Sequence, residues 1–278
     1  MFAWEQVCGA RPAVMGVVNV TPDSFSDGGR FLDAEAAVAH GLELVAAGAD
    51  LLDVGGESTR PGAEPVPTDE ERRRVLPVVE RLAATAGVPI SIDTTKSSVA
   101  VDALAAGATI VNDVSAGRFD PAILGVASDA GAGYVVMHML GDPRTMQRDP
   151  RYDDVVRDVA GFLVDRLAAA RTAGIRADAL AADPGVGFGK TVAHNLALLA
   201  RLRELAERTT VPLVVGTSRK SFLSRLLGGD NSLDARDDAT LATVVWSVDH
   251  GARVVRVHNA GAAARAIRLI DVMEGCAA

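Results

Sequence analysis

Short runs of β-branched and other apolar residues recur eight times along the chain, each followed by a segment with helical spacing, and this alternation restricts the fold more than any other feature. The runs fall at about 13–19, 50–54, 88–93, 108–112, 133–138, 179–183, 211–216 and 253–258. Helices are predicted over 33–47, 68–86, 96–106, 119–130, 153–173, 194–208, 236–250 and 260–274, with Leu42, Val45 and Ala46 as an example of the apolar spacing. Strand–helix units build parallel sheets, and eight of them close a barrel. The predicted class is therefore α/β, a (β/α)8 TIM barrel in a single domain over 1–278, with strand one beginning near residue 13. The length of 278 residues suits one such barrel, which typically takes about 250.

A weak internal repeat supports these divisions. Ala47-Gly48-Ala49, Ala106-Gly107-Ala108, Ala130-Gly131-Ala132 and His250-Gly251-Ala252 each precede a strand. A glycine there suits the positive φ that closes a helix. Glycine-containing loops are expected at 21–32 and 55–67, and long loops on a compact barrel are usually functional.

Composition removes several classes. A hydrophobic content of 49% with 23% charged residues is that of a globular protein, and no apolar stretch is long enough to span a membrane. The net charge of −8 argues against a nucleic-acid or membrane-surface binder, which needs a broad positive footprint. The first twelve residues lack a signal-peptide pattern, so the expected compartment is the cytoplasm. Cys8 and Cys276 lie near opposite chain ends and form no metal or redox motif.

In a barrel of this kind, substrate meets the C-terminal strand ends and the loops that follow them. Those ends carry Asn19, Asp53, Asp93, Asn112, His138 and Asp183, then Ser218 and Lys220, then Arg256 and His258. Any one of these could merely cap the next helix. Alternation argues for more: Ser91 and Asp93 share one strand face opposite Ile90 and Ile92, and Arg256 and His258 stand opposite Val255 and Val257. Polar pairs facing the barrel interior need a partner or a ligand. The acids and the amide suit a fused aminopyrimidinone, whose N–H and NH₂ offer parallel donors to a carboxylate. Lys220, Arg219, Arg256 and His258 suit a diphosphate.

Motifs follow the strands in order: Asn19-Val-Thr-Pro-Asp-Ser-Phe-Ser-Asp-Gly-Gly29, Gly55-Gly-Glu-Ser-Thr-Arg-Pro-Gly62, Ser91-Ile-Asp-Thr94, Asn112-Asp-Val-Ser115, Met137-His-Met139, Asp183-Pro-Gly-Val-Gly-Phe-Gly-Lys190, Thr217-Ser-Arg-Lys-Ser-Phe222 and Arg256-Val-His258. Together they closely resemble the dihydropteroate synthases of folate biosynthesis. The resemblance implies condensation of 6-hydroxymethyl-7,8-dihydropterin diphosphate with p-aminobenzoate, Mg²⁺ as cofactor, and a homodimer. It implies Asn19 at the metal. Asp93, Asn112, Asp183 and Lys220 would hold the pterin, with Thr59, Arg256 and His258 at the diphosphate. Phe25, Arg60, Pro61, Phe188 and Ser218 would shape the aminobenzoate pocket, and Asp93, Lys220 and Arg256 would act in catalysis. Asn259 and Leu140 stand where the family more often has Asp and a polar residue.

Competing readings are weaker. Gly185-Val-Gly-Phe-Gly-Lys-Thr191 superficially resembles a P-loop, but Pro184 occupies the place of its first glycine. Asn19-Val-Thr21 matches a glycosylation sequon by coincidence. Asp53 and Glu57 read as structural hydrogen-bond partners, and His138 and Met139 fit pocket wall or core as well as ligand contacts. The rival functions are a pterin-binding methyltransferase barrel and a catalytically silent homologue.

Overall fold

The computed structural model describes residues 1–21 and 30–277. A short helix α1 (Glu5–Cys8) leads into β1 (Ala13–Asn19), α2 (Arg30–Ala46), β2 (Leu51–Gly55), α3 (Thr68–Thr85), β3 (Ile90–Asp93), α4 (Ser97–Ala105), β4 (Ile110–Asp113), α5 (Ala122–Asp129) and β5 (Gly133–Met137). Then come α6 (Val155–Thr172), β6 (Leu180–Asp183), α7 (Val192–Ala200), α8 (Leu202–Thr209), β7 (Leu213–Val215), α9 (Ser221–Leu226), α10 (Leu233–Asp249), β8 (Ala252–Val257) and α11 (Ala260–Ala277). All strand pairs are parallel, and β8 pairs back onto β1 to close an eight-stranded barrel.

The predicted strands all form. Glycines of the repeat adopt φ of +110° at Gly48, +107° at Gly107, +61° at Gly131 and +99° at Gly251, so each ends its helix in a conformation that side chains disfavour. Side-chain caps begin others, as where Asp154 accepts from Val156 N and Arg157 N at the start of α6.

Two predicted helices differ. The segment read as one helix over 194–208 is α7 followed by α8, with the break at Arg201 (φ −115°, ψ 31°). Arg201 reaches Asp154 at 3.0 Å and also Glu204, so ion pairing across to α6 holds the break. After β7 the chain makes the extra helix α9, and α10 starts at Leu233 because Ser232 caps it, accepting from Ala235 N.

Period-2 alternation sorts the strands into two shells. Val14, Leu52, Ile92, Val111, Val136, Ala182, Val215 and Val255 face the helices. Met15, Leu51, Ile110, Val135, Ala181, Val214 and Val254 fill the interior with Phe2, Trp4 and Cys8. The N-terminal segment plugs this end of the barrel: Phe2 N donates to Gly131 O and Trp4 N to Asp178 O, both just ahead of strands. Trp4 Nε1 donates to Ala179 O at 3.0 Å, and its ring meets Phe2 edge to face at 5.1 Å.

Candidate active site

One period-2 step up the strands, the interior changes from apolar to ionic. Leu51 is followed by Asp53, Ile110 by Asn112, Ala181 by Asp183 and Val254 by Arg256, while β3 places Asp93 above Ser91. These side chains lie at the C-terminal strand ends, buried except for the half-buried Arg256. Asp53 is its centre. Its Oδ2 accepts from Arg256 Nε at 2.6 Å and from Asn112 Nδ2 at 3.0 Å, and Arg256 Nη2 donates to Asp93 Oδ2 at 2.9 Å. One guanidinium thus serves two carboxylates. Asp53 Oδ1 and Ser91 Oγ, on residues paired in the β2–β3 register, are buried without a hydrogen-bond partner among the described residues.

This charge imbalance tunes the groups. Burial, then repulsion by Asp53, pushes the Asp93 carboxyl up to about 8 against the opposing pull of Arg256. Burial disfavours the Arg256 cation, but Asp53 and Asp93 outweigh it and hold its pKa above the ordinary arginine value.

On β6 of the same barrel mouth, Asp183 carries a carboxyl raised by burial, with Lys220 and the Gly185 N–H acting the other way. Gly185 N donates to Asp183 Oδ1 at 2.7 Å. Burial lowers Lys220 to about 8, partly offset by Asp183. Its Nζ donates to Val186 O and lies 4.7 Å from the Phe188 ring centroid, within cation–π range. The glycine-rich loop after β6 closes one turn of its own, Phe188 N donating to Gly185 O at 3.0 Å, and side chains hold the rest. Gly187 N donates to Asn195 Oδ1 at 2.7 Å, Gln147 Nε2 donates to Gly187 O at 2.6 Å, and Tyr152 Oη donates to Gly189 O at 2.8 Å. Gly185 is obligatory there: at φ +65°, a Cβ would lie 1.8 Å from His138 O.

At the β7–β8 rim, Ser218 Oγ lies 2.9 Å from His258 Nδ1 and accepts from His258 N at 3.1 Å. Burial, then Arg256, Arg219 and Arg60, depress His258 to about 3, so the ring is neutral at physiological pH. Arg60 is therefore within electrostatic reach of this rim, on the loop that bears Thr59 and Pro61. That loop also touches the segment after β5, Gly62 N donating to Pro143 O at 3.0 Å. Asn19 ends β1 half-buried. Phe25 lies outside the described residues.

Several strand-end residues have other uses. His138 does not join the ring: it meets Phe162 of α6 edge to face at 4.9 Å, and its Nδ1 lies 2.8 Å from Lys190 Nζ. Burial and then Lys190 depress it to about 2. Arg219, grouped from sequence with the diphosphate cations, is tied to Asp237 at 2.7 and 2.9 Å. Asn259 caps α11, accepting from Ala262 N at 3.1 Å. Asp113, beside Asn112 but on the opposite strand face, accepts from Ser115 N, Gly117 N and Tyr134 Oη and is structural. Asp53 and Glu57 hold different cations, Arg256 and Lys96.

Sequence reasoning placed Asp53 at a strand end but read it as a structural hydrogen-bond partner and not as a site residue, although its step from Leu51 matches that from Ile110 to Asn112. It also passed over Lys190, 3% exposed, whose burial no local pattern announces.

A closed parallel barrel whose C-terminal mouth gathers three acids, an amide and the two cations Lys220 and Arg256 defines an enzyme of the pterin-binding class. The family model described as pterin binding enzyme matches residues 15–258. Dihydropteroate synthase of Escherichia coli (strain K12) is 44% identical over 262 residues, 94% of this chain and 92% of the relative. A Xanthomonas albilineans dihydropteroate synthase structure with 4-aminobenzoic acid superposes with a TM-score of 0.89 at 48% identity, covering 95% of this chain and 93% of the other. A structure from the same organism, in complex with 7,8-dihydropteroate, gives 0.86 at 45% identity, covering 95% and 94%. The chain belongs to the dihydropteroate synthase family.

Proposed function

We propose that this enzyme joins 6-hydroxymethyl-7,8-dihydropterin diphosphate to p-aminobenzoate, releasing diphosphate and forming 7,8-dihydropteroate. The observation that carries the reading is the convergence of Asp53, Asp93, Asn112, Asp183, Lys220 and Arg256 at one barrel mouth in a chain of this family.

The pterin lies flat between β3, β4 and β6, with Asp183 accepting from its N–H and NH₂ groups and Asn112 pairing along its edge. Lys220 donates from the side of β7. Arg256 and His258 face the diphosphate, with Thr59 above them. Phe188, Ser218, Arg60 and Pro61 border the amine, and Phe25 belongs to the same set by resemblance. As the C–O bond to diphosphate breaks, the electron pair leaves with oxygen and the pterin-methyl carbon becomes cationic. Ionised Asp93 stabilises that cation through preorganised electrostatics. The arylamine lone pair then forms the C–N bond and an amine proton is lost. Closure of the 55–67 loop keeps water from capturing the cation.

Asn19 fits Mg²⁺ in one way. Its carboxamide makes no side-chain hydrogen bond to another described residue, and those residues hold no cluster of three or more His, Cys, Asp or Glu suited to a metal. Mg²⁺ commonly keeps waters and takes substrate phosphate oxygens with few protein ligands, so a single amide oxygen suffices. When bound, the ion would neutralise charge on the departing diphosphate.

The proposal includes a homodimer. Leu196 of α7 and Val245 and Trp246 of α10 are exposed on adjacent helices, which Trp246 Nε1 ties together by donating to Leu199 O at 2.9 Å. It also places the enzyme in the cytoplasm with its multiply charged substrate, which a membrane would exclude. No helix among the described residues is long and apolar enough to cross a membrane.

The test supplies purified protein with Mg²⁺ and dihydropterin diphosphate, and follows diphosphate and dihydropteroate with and without p-aminobenzoate. Product that requires the amine is expected. Substrate binding without product would mark a silent homologue, and transfer of a methyl group to a corrinoid would mark a methyltransferase. If diphosphate release never begins before amine attack, the free cation is not an intermediate.

A further inference from the structure

Outside the ring, a second, partly buried ionic cluster joins the β2 loop to the β3 loop. Lys96 Nζ donates to both the Glu57 and the Glu71 carboxylates. Glu71, on α3, is fully buried, and its Oε1 has no partner among the described residues. Glu57 is the only one of the three on the loop that carries Thr59, Arg60 and Pro61. Its Oε2 also accepts from Val66 N at 3.2 Å, nine residues further on. One carboxylate oxygen therefore draws the two stems of the loop together and fastens both to Lys96, three residues past Asp93. Arg74 of α3 adds a tie to the near stem, its Nη1 donating to Gly56 O at 2.9 Å.

A purely structural ion pair would have little need to span a loop neck. Buried pairs commonly contribute little net stability, because desolvation offsets attraction. Geometry is what this cluster supplies: the stems of 57–66 are set relative to Asp93, while the segment between them bears the groups facing the amine.

We propose that Glu57 is the positioning residue for p-aminobenzoate, acting through Lys96 and Val66 to hold the 57–66 loop against the β3 strand end. This rests on the reading that the loop serves the amine. Glu57 touches neither substrate; it sets where Arg60 and Pro61 stand.

Full-length Glu57→Ala and Glu57→Gln proteins test this, each assayed for KM of both substrates and for backbone amide exchange. In Glu57→Ala the KM for p-aminobenzoate is expected to rise about tenfold, equivalent to about 1.4 kcal/mol, the scale of one charge-assisted hydrogen bond. The KM for dihydropterin diphosphate is expected to change by less than about twofold, since Asp183, Asn112 and Lys220 are held by other elements. Amides of 58–66, Val66 among them, exchange faster while those of the barrel strands do not. Glu57→Gln, which retains an acceptor oxygen, recovers most of the lost affinity and keeps the fold if the alanine variant does not. Equal rises in both KM values, uniformly faster exchange, or a fast loop with unchanged KM would each overturn the proposal. Arg60→Ala separates the two readings: an unchanged KM for the amine in that variant removes the loop's assignment, and loop exchange in Glu57→Ala then judges the pin alone.

Discussion

The two ends of this barrel are built from the same strands and behave as different materials. At the N-terminal end Met15, Leu51, Ile110, Val135, Val214 and Val254 pack with Phe2 and Trp4, and the strands are closed off from solvent. Two residues further along, Asp53, Asp93, Asn112, Asp183 and Arg256 replace aliphatic packing with charge that the protein only partly balances. Burying apolar area stabilises the first end by about 25 cal/mol per Å². Buried ions at the second cost several kcal/mol each before pairing repays them. Stability is concentrated at one end and chemical readiness at the other, so substitutions should separate them.

Arg256 tests where that separation fails, because it belongs to the site yet also balances buried charge. Arg256→Met leaves Asp53 and Asp93 without their cation. We expect loss of about 3–5 kcal/mol in urea unfolding at pH 8 and a fall in turnover of more than about 10²-fold. The stability loss should shrink at pH 6, where Asp93 takes a proton. Equal stability of variant and wild type at pH 8 would break the electrostatic account of the ring.

Trp4→Ala is the reciprocal change at the floor. Removing a side chain only 1% exposed should cost about 3–5 kcal/mol with kcat/KM of the folded protein unaltered. A matching loss of kcat/KM would show that the two ends are mechanically coupled.

Acid–base behaviour sharpens the contrast within the site. Asp93 must lose its proton to stabilise a cation, and does so as pH rises through about 8. Lys220 must keep its proton to act as a cation, and loses it as pH rises through about 8. The profile of kcat/KM for dihydropterin diphosphate should therefore be a narrow bell centred near 8, its limbs belonging to coupled groups. Lys220→Met should lower the maximum and erase the alkaline limb; a profile flat from pH 6 to 10 would contradict both roles.

The smallest expected effect lies behind the ring. His138 is neutral in the folded protein down to about 2, whereas an unfolded histidine titrates near 6.5. Its contribution is thus fully present above about pH 6.5 and is lost as pH falls, by about 1.4 kcal/mol per unit once protonation is complete in the unfolded chain. Between pH 7 and 5 this amounts to roughly 2 kcal/mol, so melting of His138→Asn should be less acid-sensitive than that of wild type.

Much of this architecture was readable from local pattern. Periodicity located all eight strands, and the Ala-Gly-Ala repeat located helix ends because positive φ is a local demand that glycine meets. Alternation in Ser91-Ile-Asp93 and Arg256-Val-His258 placed polar groups opposite helix-facing ones. The break at Arg201 was not readable, since the apolar spacing continues from Leu198 and Leu199 to Leu202 and Leu205 and only the partner Asp154 holds the interruption. Nor was the direction of His138, whose strand position suits the ring but whose side chain turns to Lys190 and Phe162.

By itself, then, the sequence determined the eight strands, their order, the closed parallel topology and the set of polar residues at the strand ends, because each follows from spacing within a few residues. Tertiary structure decided which charge meets which: Arg256 finds Asp53 at a separation of 203 residues and Asp93 at 163, and Glu57 finds Lys96 rather than Asp53. Those pairings depend on register and closure around the barrel, which bring distant strands side by side. A period of two reports only the face on which a side chain stands, not its neighbour across the interior.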